Sequence, residues 1–228
     1  MANFHTHIAV AAAGSGILAS TVLAAGAVTP GQATVLWAVG AGAGLLPDID
    51  SDSSRSIRWI FNGLAVISAL ITLMVLHNQL SLYALWAAMG FTYMAIRYGA
   101  MPLFAEWTVH RGIFHSILVL PFFTLTTVLL SDQVFQLPVY LSWLAGLFVL
   151  FGAFIHLLLD EIYAVDLEGA RLKASFGTAL KLFSFNNLLG SAGMAAAVAV
   201  LVIAVPPLEP FVQFVAAVDW LEVLNLPV

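Results

Sequence analysis

The chain contains no cysteine. No disulfide can staple it and no thiolate can hold a metal, so any bound ion rests on His, Asp or Glu. That donor set points to zinc, with manganese, iron or magnesium as alternatives, and away from copper(I). Charge is also scarce: Asp, Glu, Lys and Arg make up 8% of the 228 residues, where a soluble domain carries about 25%. The seven Lys and Arg residues form no basic run and the net charge is −5, which leaves nucleic-acid binding without support. No Lys or Arg precedes Arg55. A secretory signal needs a basic start, so the first apolar segment is expected to be retained.

Apolar residues are abundant. They make up 62% of the chain, and the mean hydropathy is +1.02. In lipid, only helices or closed barrels satisfy their own backbone, and no apolar segment here reads as a strand. The expectation is an all-α, polytopic helical membrane protein forming one integral membrane domain over 1–228. About 20 apolar residues cross a bilayer. Seven segments qualify as candidate spans: 8–28, 33–47, 57–77, 80–102, 113–131, 137–159 and 187–205. The second is short and reads equally as a tilted, buried or re-entrant helix. Segments 160–186 and 208–224 are more polar and are expected on the membrane surface.

Seven crossings place 1–7, 48–56, 103–112 and 160–186 on one face. The basic residues Arg55, Arg58, Arg97, Arg111, Arg171, Lys173 and Lys181 all lie on or near it. The opposite face has Asp132, Glu209, Asp219 and Glu222. The positive-inside rule then makes the first face cytoplasmic, with the N-terminus inside and the C-terminus outside. A re-entrant 33–47 would split that face. Gly40 and Gly44 in the second segment, Gly14 and Gly16 in the first and the alanines near 192–197 read as surfaces for close helix packing.

Ionisable residues are costly near a bilayer and are seldom placed there without a role. Four groups of them fall on the same expected face. His5 and His7 precede the first span, and either can be the inward residue. Asp48 and Asp50 follow Pro47. Pro47 biases the preceding residue to extended geometry, and in an extended stretch Asp48 and Asp50 point the same way. Two adjacent carboxylates repel unless a cation lies between them. His110 and His115 are five apart and cannot share one face of a regular helix. A loop over His110-Arg111-Gly112 and a helix starting near Ile113 would turn both inward. Arg111 is a fixed cation suited to phosphate or carboxylate. His156 and Asp160 are spaced i, i+4, which puts them on one helix face about 6 Å apart at Cβ. They can chelate one ion, or Asp160 can orient His156. Glu161 is turned about 100° from Asp160 and is a weaker candidate. His77 reads as an interfacial residue and Ser116 as a helix hydroxyl.

The order His7, Pro47-Asp48-Ile49-Asp50, His110-Arg111-Gly112-x-x-His115-Ser116, then His156-x-x-x-Asp160 resembles the YdjM-like inner-membrane metal-dependent hydrolases. The likeness runs from His7 to about Lys181, and Leu159 to Tyr163 with Ser175 to Thr178 also resembles one branch of that family. The resemblance implies a bacterial inner-membrane protein with a divalent-metal hydrolase site. The pattern is also distantly similar to zinc-dependent phospholipase C and the P1-type nucleases. Those enzymes use a second His-x-x-x-Glu that this chain lacks, so a trinuclear zinc site is not carried over.

The expected activity is metal-dependent hydrolysis at the cytoplasmic membrane face, with a lipid phosphoester or a small molecule as substrate. His7, Asp48, His110, His115, His156 and Asp160 are the ligand candidates, and Asp50 is a ligand or the general base. Arg111 is expected to hold the substrate anion. A bound ion brings the pKa of water towards about 7. Arg171, Lys173 and Lys181 suit acidic head groups of membrane lipids. A cation transporter needs a polar trail to the mid-membrane, and no such trail is evident. A scaffold with a structural ion needs a closed ligand shell.

Overall fold

Asn3 fixes where the first helix begins. Its side chain accepts the Thr6 N–H at 2.9 Å, and helix α1 runs Phe4–Ala24. Helix α2, Pro30–Ala43, opens on a reciprocal cap: Gln32 N–H donates to Thr29 Oγ1 and Thr29 N–H to Gln32 Oε1. Pro30 occupies the first turn, where a missing N–H costs nothing. In this computed structural model the described residues are 3–50, 55–107, 113–166, 171–172, 177, 179–218 and 220. They are helical apart from turns and one two-residue antiparallel pair.

The chain divides into two compact units, Met1–Pro47 with Ile113–Val228, and Asp48–Gly112. In the second unit α3 (Arg55–Leu76) lies against α4 (Leu82–Met94), and the Thr72 and Thr92 hydroxyls meet at 3.1 Å. Such polar contacts tie helices together where lipid provides no hydrophobic drive. A π-helical turn, Ala95–Ala100, leads into α5 (Met101–Trp107). Pro102 supplies the reason: it lacks the N–H an α-helix would place on the Tyr98 carbonyl. The Met101 N–H reaches back to Ile96 O instead.

The first unit is arranged around α7, Val139–Ile162, which packs on α1, α2, α6 (Val119–Gln133) and α9 (Glu209–Ala217). Helix α8, Leu188–Ala204, lies on α6 and bends by 72° into α9. After α7 the short pair β1 (Val165–Asp166) and β2 (Arg171–Leu172) forms a ladder. The apolar core joins Val22, Leu36, Leu144 and Phe148, all buried.

Two glycines bring α1, α2 and α7 into backbone contact. A Cβ on Gly44 would run into Ala11 Cβ, and one on Gly152 would run into the Gly40 carbonyl oxygen. The sequence-level reading of Gly40 and Gly44 as packing surfaces agrees with this. The buried stripe of α1 is His7, Ala11, Ser15, Ala19 and Val22, so a run of small side chains carries one histidine into the crossing.

Each of the seven expected segments contains a helix. Among the described residues three helices, Phe4–Ala24, Ile57–Leu76 and Val139–Ile162, are long and apolar enough to cross a membrane alone, and the bent α8–α9 pair would make a fourth. At 1.5 Å per residue, α2 with its 14 residues is about 21 Å long, shorter than a hydrocarbon core of about 30 Å. Two local expectations are corrected. Leu46–Asp50 is a 3₁₀ helix, not an extended strand, because Pro47 falls in its first turn where proline is tolerated. Residues two apart there differ by about 240°, so the same-side argument for Asp48 and Asp50 lapses. Helix α6 starts at Val119 rather than near Ile113. A start at 113 would put Pro121 in the helix interior, without its N–H and against the preceding turn.

Gly152→Ala should lower unfolding stability in detergent by about 1–3 kcal/mol, the usual cost of overpacking. Gly42→Ala, where a Cβ meets nothing within 4 Å, should be neutral or stabilising by up to about 1 kcal/mol. Equal effects at the two positions would contradict the close crossing.

Candidate metal centre

Three imidazoles and one carboxylate converge where α1 and α7 meet the turn before α6. His7 comes from the first turns of α1, His156 and Asp160 from the end of α7, and His115 from the turn over 113–118. Each is at most 2% exposed. His7 Nε2 lies 3.2 Å from Asp160 Oδ1. His115 Nε2 and His156 Nε2 each lie 3.7 Å from Asp160 Oδ2. The His7 and His156 rings stack at 3.8 Å between centroids, and His115 meets His156 edge-on at 5.7 Å.

These separations bear on the chemistry. At 3.7 Å an imidazole and a carboxylate are too far apart for a hydrogen bond. Two ligands at about 2.1 Å in a tetrahedral shell sit about 3.4 Å apart. Donor atoms of His7, His156 and Asp160 all fall within 4.8 Å of one another. The donor set is nitrogen and carboxylate oxygen, which suits zinc and related divalent ions. The 3.2 Å contact of His7 with Asp160 is within hydrogen-bond range, and the same carboxylate also faces His115 and His156.

The second nitrogen of each ring separates the histidines further. His156 Nδ1 is 2.7 Å from the Gly44 carbonyl. A histidine that donates from Nδ1 to a carbonyl presents Nε2 with its lone pair outward, the usual arrangement of a metal ligand. Gly44 therefore does two things: its missing side chain admits α1, and its carbonyl sets the His156 tautomer. His7 Nδ1 is buried with no hydrogen-bond partner among the described residues, so stacking and Asp160 hold that ring. His115 sits where the chain is tied sideways. Ile117 N–H donates to Lys181 O at 2.8 Å and Leu118 N–H to Leu182 O at 3.2 Å. Ser116 Oγ donates to Ile113 O, closing the turn; its hydroxyl serves the backbone, though not on a helix.

The structure places His5 and His7 on different sides of α1. With α1 starting at Phe4, residues two apart differ by about 200° around the helix. His7 is buried and His5 exposed. Asn3-x-x-Thr6 is the cap signature that would have located this start from sequence. Asp48 and Asp50 follow Pro47 in the other unit. His110 and Arg111 lie outside the described residues.

Glu161 has a role that spacing alone did not expose. Its carboxylate accepts the N–H groups of Gly177 and Ala179. Adjacent acids thus divide the work: Asp160 faces the imidazoles and Glu161 pins the returning loop. The partners are 16 and 18 residues away, across a turn with no repeat pattern, so the sequence carries no local signal for them.

A family model described as YdjM inner membrane protein matches residues 1–204. Comparison with curated proteins and with solved structures gives no match. The chain belongs to the YdjM inner membrane protein family, and its apolar helices fit that setting.

His156→Ala and Asp160→Asn should each abolish metal retention through purification, measured by inductively coupled plasma mass spectrometry. His5→Ala should retain the wild-type metal content. Stripping the ion should lower the thermal midpoint, since a ligand held at 1,000 times its Kd contributes about 4 kcal/mol. Unchanged metal content in Asp160→Asn would remove the centre.

Proposed function

We propose that this member of the YdjM inner membrane protein family is a metal-dependent hydrolase acting on a phosphoester of a membrane lipid at the cytoplasmic face. The observation that carries the reading is the gathering of His7, His115 and His156 around the buried Asp160 carboxylate. Those four residues would hold a divalent cation, zinc first. When bound, the cation supplies Lewis-acid activation of water near neutral pH. The chain's own residues do the rest. His156 is held in one tautomer by the Gly44 carbonyl. Asp48 would complete the ligand set, and Asp50 would ligate or take a proton. Arg111, next to His110 and four residues before His115, would bind the anionic group and stabilise its developing charge.

The proposed topology is seven crossings with the N-terminus in the cytoplasm and the C-terminus outside. Its support is the position of all seven basic residues on one side of those crossings. Reporter fusions after residues 106 and 134 should give opposite signals, cytoplasmic for the first.

One observation favours a second reading. All four gathered side chains are buried, and a closed shell is the mark of a structural ion. Activity separates the two. Metal-loaded protein should release phosphate or a phosphorylated head group from a phospholipid. Arg111→Ala should keep its metal and lose about 2–4 kcal/mol of transition-state stabilisation, roughly 30- to 1,000-fold in rate. A metal-loaded wild type that cleaves no phosphoester lipid would favour the structural ion. Full activity in Arg111→Ala would remove that residue's role.

A further inference from the structure

A cavity of about 540 Å³ opens beside the turn that carries His115. Ile117, Leu118 and Pro121 form one wall, and Leu182, Phe183 and Ala195 form another. Its volume lies within the roughly 300–1,000 Å³ of small-molecule sites. Such sites normally hold a few polar groups that orient the ligand. Among the described residues this one offers no free polar side chain, and the lone polar lining residue is Ser191. Its hydroxyl accepts the Ser184 N–H and donates to the Ser184 carbonyl. The wall's own amides are also occupied, since Ile117 and Leu118 donate to the 181–182 carbonyls. The occupant must therefore be apolar along its length.

The surroundings identify it. Two lining residues, Leu182 and Leu188, are 67% and 62% exposed, and the neighbouring Leu189 is 87% exposed. The cavity is continuous with an apolar outer surface in a protein of an inner-membrane family. Ile117 is two residues from His115, so their Cα atoms are at most about 7 Å apart. We infer that this cavity seats one acyl chain of a membrane phospholipid whose head group lies at the His/Asp cluster.

Moving a tail from bilayer to cavity exchanges one apolar medium for another and gains no hydrophobic energy. The cavity therefore positions the lipid and selects for a chain, while the head group supplies the affinity. The part of this inference that concerns turnover rests on the hydrolase reading above; the part that concerns binding does not.

The test uses full-length wild type in vesicles containing a phospholipid with a diazirine in its acyl chain. After irradiation, adducts are mapped by mass spectrometry. They should concentrate on Ile117, Leu118, Leu182 and Ala192. Adducts distributed by exposure alone, with Ile203 and Tyr83 labelled as heavily, would mean annular lipid only and overturn the proposal. Ala192→Trp and Ala195→Trp fill the cavity from an exposed helix face. They should lose those adducts at unchanged metal content, and undiminished labelling would overturn the proposal. If hydrolysis is found, both variants should raise KM for a diacyl substrate and leave a short-chain soluble phosphoester unaffected. Focused adducts in a wild type that hydrolyses nothing would keep the lipid site and discard the hydrolase reading.

Discussion

The structure of the first unit depends on the carboxylate of Asp160. It is buried among His7, His115 and His156 near the end of α7. A carboxylate removed from water without a partner costs several kcal/mol even after relaxation. His7 Nε2 lies 3.2 Å from the Asp160 carboxylate, and a divalent ion shared by the three rings would offset that cost. A bound ion would tie α1, α7 and the turn before α6 to one point.

Backbone contact makes that convergence possible. Gly152 lies against the Gly40 carbonyl and Gly44 lies against Ala11, so the helices bearing His7 and His156 each approach α2 more closely than larger side chains would permit. The same crossing delivers the Gly44 carbonyl to His156 Nδ1. Packing and chemistry are thus coupled through a few atoms. A methyl group added at Gly44 would act on helix spacing, on the His156 tautomer and on ion affinity together. On the other side, Glu161 holds the loop whose carbonyls at 181 and 182 fix the His115 turn. The centre is supported by α2 from one direction and by the 177–182 segment from the other.

Much of this was legible in the sequence. Composition and segment length indicated membrane helices; each expected segment holds a helix, and among the described residues three of them, or four with the bent α8–α9 pair, are long and apolar enough to cross. The i, i+4 spacing of His156 and Asp160 placed both on one face of α7. The small-residue stripe of α1, read together with the Asn3 cap, points to His7 over His5. The failures were local and had backbone causes. Pro47 and Pro121 each sit in the first turn of the helix they belong to, which the extended stretch expected after Pro47 and the helix start expected near Ile113 did not allow for. The same-side argument for Asp48 and Asp50 failed with the first of these, and the helical setting of His115 with the second. The Glu161 latch and the cavity beside Ile117 join segments distant in the chain, and no spacing rule reaches them. Short helices such as α2 also limit what hydropathy can say about crossing number.

X-ray absorption at the zinc edge on protein purified without chelator tests the central claim most directly. The account predicts stoichiometric metal with three imidazole nitrogens and carboxylate oxygen at about 2.0–2.2 Å. An oxygen-only shell without imidazole scattering would contradict it.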